Sequence, residues 1–382
     1  MKNHLKKTKK ALLILLVTQL VVMVSCSKKN DNPIVEDPLV EDYDREAMLR
    51  NYADNYIIPA YATYVSEVND LKTEINTFNT TLSVAALQNL RVKWESTLLA
   101  WQDVSFLEFG PAQNISLRSQ TNIYPVDTTL INSNITSGTY NLQLASNFDA
   151  KGFQALDYLI NGTAANDNDI VTYFTNNANA RTYLLNVILD IESGATTVNN
   201  DWINNYKTSF ITNSSSNAQG SSVSNIVNAI SLHYETYIRK GKIGLPAGVF
   251  NGFSQLPMPE HVESYYYQQS LPFVYRSLIA MQKFLKGEHY STTTNGEGLD
   301  DYLSHVNAQS GGQPLQVLIN NQFNTIQTEL NNINDPLSNE VNINNQGVRD
   351  VYQEMQVLVP KMKVEMTNAL EVMITYQDND GD

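Results

Sequence analysis

Apolar residues recur at three- and four-residue spacing along most of the chain, and that period predicts helices. From Arg45, the run REAMLRNYADNYIIPAYATYVSEVNDLKTEINTF places Met48, Tyr52, Tyr56, Tyr61, Tyr64, Val65 and Leu71 close to one face, with a kink predicted at Pro59. Ser83 reads as an N-cap for the next helix, where Leu87, Leu90, Trp94, Leu98, Trp101 and Phe106 trace one broad face up to Gly110-Pro111. Residues 112–149 are rich in Asn, Ser and Thr and read as a long loop, a length that points to function when it occurs. Further helices are predicted over 152–162, 178–193, 199–212, 222–240, 263–287, 297–308, 314–333 and 345–376, the last interrupted at Pro360. Alternating stretches are few. TLINSNIT is the best of them and a weak strand candidate. The expected class is all-α, with two packed helical-bundle halves.

The N-terminus departs from this pattern. Five lysines in the first ten residues precede an apolar stretch of about fourteen residues, too short for a membrane span. Met23-Val24-Ser25-Cys26 follows, and Cys26 is the single cysteine of the chain. The pattern predicts a lipoprotein signal peptide over 1–25, with the mature chain lipidated at Cys26 and held in a membrane, the outer membrane being the expected one. Residues 26–44, acidic and proline-bearing, read as a tether. The polar run NSSSNAQGSS places a division between an N-terminal half, 45–215, and a C-terminal half, 216–382.

Removal of the leader lowers Lys+Arg from 25 to 20 and leaves Asp+Glu at 39, a formal charge of −19. Such a surface disfavours nucleic acid as a partner. The sequence holds no HExxH, no G-x-S-x-G and no phosphate-binding glycine loop. Its histidines, His4, His233, His261, His289 and His305, form no i, i+4 pair. The terminal run Asp378 to Asp382 starts like a calcium loop but carries only its first five positions, so an acidic tail rather than an EF-hand is expected. The cluster Tyr265-Tyr266-Tyr267 would line a pocket for a flat ligand or sit half-buried in a bundle.

GFQALDYLING, 152–162, brackets a short amphipathic helix between glycines and sets Gln154 and Asp157 three apart on one face. Taken with WQDVSFLEFGP (101–111), YPVDTTLI (124–131), RKGKIGLPAG (239–248), ESYYYQQSL (263–271), GLDDYL (298–303) and the terminal DNDGD, in that order, it resembles the imelysin family. The resemblance implies an all-helical fold whose two halves surround a cleft, and an envelope protein associated with iron acquisition. It also implies a metallopeptidase classification, and a GxHxxE motif that falls on Gly152, Gln154 and Asp157. The glutamine replaces a histidine and the aspartate a glutamate. An amide oxygen suits a hard cation better than zinc or iron, and the shorter acid draws its carboxylate back. The resemblance carries over Glu108 and Asp157 as candidate metal ligands for a divalent cation or iron, and Gln154, Glu263 and Ser264 as candidate cofactor-binding positions. Asp127 and Asp300 are carried over with structural roles favoured. Three functions stay open: a binding protein for iron, another metal or haem; a metallopeptidase; and a scaffold for an outer-membrane partner.

Overall fold

The computed structural model describes residues 42–377, of which 43–377 belong to one connected unit. The leader, Cys26 and the terminal DNDGD lie outside the described residues. Helix α1, Ile58–Thr81, buries Tyr61, Tyr64, Val68, Leu71, Ile75 and Phe78, the stripe its sequence spacing dictates. Pro59 falls in its first turn, and a π-helical turn, Tyr52–Ile57, runs into it without a break, so the residue that lacks an N–H sits where the helical hydrogen-bond register changes.

Leu82 stops α1 in the left-handed conformation, and Ser83 caps α2, Val84–Gln102, by accepting from Ala86 N at 3.3 Å. The short buried α3, Gly152–Asp157, follows a run of small elements, and α4, Ala178–Asp201, packs along α1 with Tyr183, Leu184, Val187, Ile188 and Ile191 inward. These helices form the first group. Helix α5, Leu271–Leu285, lies against α2 and against α6, Leu315–Glu329. Around α6 gather α7, Asn345–Pro360, and a twelve-residue π-helical segment, His233–Gly244, that continues the helix Ser222–Leu232. Tyr234 OH donates to Met355 O at 2.7 Å across this second group. Among the described residues the sheet content is one hairpin of two-residue strands, Gln309–Ser310 with Gln313–Pro314. The all-α class with two packed helical groups is the observed architecture.

Three expectations need correction. The stretch 112–149 is not a loop but a string of short helices, Pro111–Asn114, Leu117–Thr121, Thr128–Ser137 and a 3-10 turn at Ala145–Ala150. TLINSNIT is the third of these, not a strand: Asp127 caps it by accepting from Leu130 N at 2.9 Å, and Ile131 and Ile135, one turn apart, are buried. The residues from Glu263 do not start a helix. They form a turn, and α5 begins only at Leu271.

Candidate functional site

The site is built on α3. Gly152 opens it at φ +76°, and a Cβ there would collide with the Thr121 carbonyl, so only glycine fits. Trp94 Nε1 on α2 donates to Phe153 O at 3.1 Å, and Arg91 forks onto Ile160 O at 3.1 and 2.9 Å. All six residues of α3 are buried.

From this fixed helix Gln154 and Asp157 reach the turn that follows Glu263. Gln154 Oε1 accepts from Ser264 N at 2.8 Å, and its Nε2 donates to Asn122 Oδ1 at 2.8 Å. Asp157 Oδ2 accepts from Tyr266 N at 3.0 Å, and its Oδ1 from Asn161 Nδ2 at 2.9 Å. The turn needs such holding, because Ser264 and Gln268 are both at positive φ, 62° and 63°, which strains a residue with a Cβ. The two side chains thus clasp a strained turn from below. Asp157 is 0 % exposed, and burial pushes its carboxyl up to about 7 against the hydrogen bonds that favour its charge.

A buried polar chain continues from there. Asn122 Nδ2 donates to Glu263 Oε1 at 2.7 Å, Gln102 Nε2 donates to the same oxygen at 3.0 Å, and Glu263 Oε2 pairs with the buried Lys242 ammonium. Burial pulls the Lys242 pKa down while the Glu263 carboxylate opposes the shift. Ser277 Oγ donates to Gln102 Oε1 at 2.7 Å, and Ser270 Oγ to Glu263 O at 2.6 Å. Gln154, Asn122, Glu263 and Lys242 are therefore one network. Ser264 joins it through its backbone alone: its Oγ is buried without a partner among the described residues, and it caps no helix.

Glu108 stands outside this chain. It accepts from Arg118 N at 3.1 Å, and burial raises its pKa. Asp127 is a helix cap, and Asp300 sits in the first turn of Leu299–His305, where burial and the neighbouring Asp301 push it up to about 6. Gln154 and Asp157 line a cavity of about 320 Å³ together with Tyr124, Glu260, Tyr265 and Tyr266. Sequence reading missed Asn122, which links the two halves of the network from inside an Asn-rich stretch that carries no distinguishing signal. Lys242 lies within the quoted stretch RKGKIGLPAG, yet nothing in the sequence names Glu263 as its partner.

The donor set does not fit a transition metal. Gln154 has both ends of its amide engaged, both oxygens of Asp157 accept hydrogen bonds, and no three His, Cys, Asp or Glu side chains among the described residues are grouped to hold a metal ion.

A helical protein with a glycine-started helix clasping a turn across a buried polar chain is the class that fold and site define. The sequence model of the family described as "Peptidase_M75: Imelysin" matches residues 57–360, and the chain belongs to the imelysin family. Two crystal structures share its fold. One is of a protein described as a putative iron-regulated protein A precursor, from Parabacteroides distasonis ATCC 8503, with TM-score 0.70, 16% identity, and 86% of this chain and 95% of that chain covered. The other is an imelysin-like protein from Psychrobacter arcticum 273-4, with TM-score 0.66, 15% identity, and 87% and 97% covered. No curated protein matches the sequence.

Proposed function

We propose that this chain is an envelope-anchored, non-catalytic imelysin-family protein that serves iron acquisition, retaining the fold while its metal-type motif has become a structural clasp. The observation that carries the reading is the engagement of Gln154 and Asp157 by the backbone N–H groups of Ser264 and Tyr266. A metallopeptidase needs a polarised water on an open metal position and a general base. Here the hallmark acid is occupied in holding a turn, and the hallmark base position is an amide. The link to iron is supported by the description of one structural relative as iron-regulated, said of that protein. Among the described residues no helix is long and apolar enough to cross a membrane, so attachment would rest on lipid at Cys26, with an outer-membrane protein as partner.

Incubation with a denatured protein substrate, with and without chelator, tests the first half. No chelator-sensitive cleavage is expected, and cleavage that chelator and Asp157→Ala both remove would establish the peptidase instead. Transcript levels under iron limitation test the second half: induction is expected, and an unchanged level refutes the link. Metabolic labelling with palmitate should mark the wild type and not Cys26→Ala; equal labelling refutes the anchor.

A further inference from the structure

A second cavity, of about 240 Å³, is walled by the end of α2, by residues 118–124 and by the π-helical segment His233–Gly244. Its charge runs against that of the whole chain. The chain carries 39 acidic residues and 25 basic ones, yet the cavity is lined by Arg118, Lys240 and Lys242 and by no carboxylate. Lys242 is paired with Glu263 behind the wall, and Lys240 lies 4.8 Å from the centre of the Phe250 ring.

Arg118 has donor capacity in hand. It is 6 % exposed; its Nε donates to Ser105 O at 3.1 Å, and its Nη2 has no partner among the described residues. His233, 3 % exposed, approaches Ser105 Oγ with Nε2 at 3.3 Å and leaves Nδ1 without a partner. Burial and the charges of Arg118 and Lys242 drive the His233 pKa well below its usual value, so its ring is neutral at physiological pH. A buried donor left unmade costs on the order of 1–3 kcal/mol, so a ligand that brings an acceptor to the Arg118 guanidinium gains by it, while the neutral His233 ring offers Nδ1 as donor or acceptor according to its tautomer. The π-helical geometry belongs to the same picture, since such segments concentrate at functional sites.

The walls decide the rest of the ligand. Trp101, Tyr124 and Tyr237 supply aromatic surface, Ile123 and Leu245 aliphatic surface, and the guanidinium of Arg118 stacks 4.2 Å from the Tyr237 ring centre. Filled at interior density, about 0.74, the cavity holds roughly 180 Å³ of ligand, one ring with a short acidic arm. A free amino acid is disfavoured because its ammonium would meet cations and no carboxylate. Phosphate would leave the aromatic walls uncovered.

We propose that this cavity binds a small aromatic carboxylate, with the acid on the Arg118 fork and the ring against Trp101, Tyr124 and Tyr237. The site goes beyond the clasp and the role proposed above, and stands or falls apart from both.

Calorimetry of the purified mature chain with phenylacetate and with benzoate tests it, with phenylacetamide, phenylalanine and inorganic phosphate as comparisons. At least one of the two acids should bind saturably at one site, and the amide, the amino acid and phosphate should each bind at least about tenfold more weakly. Arg118→Gln should weaken the acid by at least about tenfold, with a cooperative melt showing that the variant folds. Should it fail to fold, Thr236→Trp, at a half-buried position on the wall, must block the acid by filling the cavity. No saturable binding of either acid up to about 10 mM overturns the proposal. So does equal binding of the amide, the amino acid or phosphate, or undiminished binding to folded Arg118→Gln or to Thr236→Trp. None of these readouts depends on iron or on proteolysis.

Discussion

Replacing Asp157 by asparagine removes a titrating charge from the interior while keeping the shape of the clasp. In the folded chain burial holds this carboxyl up to about 7, against an ordinary value of 3.8. The native state therefore keeps a proton at pH values where the unfolded chain has released it. The stability this contributes is fully present below the unfolded pKa, is lost as pH rises from about 4, and is gone above about 7. Each unit of difference corresponds to about 1.36 kcal/mol, so some three units set an upper bound of about 4 kcal/mol across that window. In Asp157→Asn the new amide can still offer its oxygen to Tyr266 N, and Asn161 can turn its own amide oxygen toward the new amide hydrogens. The variant should then gain on the wild type as pH rises, and the gain should level off near about pH 8. Urea unfolding of both proteins along a pH series measures it. Asp300, raised to about 6, and His233, with a lowered pKa, also tilt the pH profile, but they occur in both proteins and cancel in the difference. A difference that stays flat with pH, or that falls as pH rises, refutes the reasoning.

Gly152→Ala should destabilise by about 2–4 kcal/mol, because positive φ and the Thr121 carbonyl both exclude a Cβ; denaturant midpoints read it directly. Lys242→Met leaves Glu263 buried without its counter-charge and should lower stability by about 3–5 kcal/mol. Adding Glu263→Gln should recover part of that loss, and no recovery in the same melts would mean the pair is not the cause. Gln154→His, which supplies the histidine that the motif resemblance implies, should not yield zinc binding tighter than about micromolar by calorimetry, since no third ligand is at hand among the described residues. The same change should weaken the fold by about 1–3 kcal/mol, as the imidazole cannot bridge Asn122 and Ser264 as the amide does.

The helices with long apolar stripes are legible in the sequence, and for a local reason. Ser83 and the spacing from Leu87 to Trp101 define α2 without help from the rest of the chain. Thr128–Ser137 is not legible as a helix because its polar residues hide a stripe of only two isoleucines. The π-helical segments have no local signature at all. The helix predicted over 222–240 ends as α-helix at Leu232, and at Pro59 the sequence does not show the π-turn that runs into it. At the site, Gln154 and Asp157 can be placed on one face of α3 from their spacing, and they are found there. Their partners, 109 and 110 residues away, belong to a turn that sequence spacing cannot address. Arg118, Lys240 and Lys242 form their cationic wall only when two distant stretches meet, so each alone reads as an ordinary side chain.

The segment His233–Gly244 carries a further consequence, one of register. In a π-helix each N–H bonds five residues back rather than four, so every turn holds more chain than an α-turn of equal sweep. Deleting a single residue there, Gly241 for instance, would let the segment relax to α-geometry without losing one apolar contact residue. Were the π-turns to persist instead, everything beyond the deletion would rotate by roughly a quarter-turn about the helix axis. Lys242 would swing away from Glu263, and the wall that carries Lys240 and Leu245 would turn with it. A one-residue gap at this point in an alignment of relatives therefore marks either a tightened helix or a rebuilt cavity, whereas gaps of the same size in the mostly exposed run 213–220 mark neither.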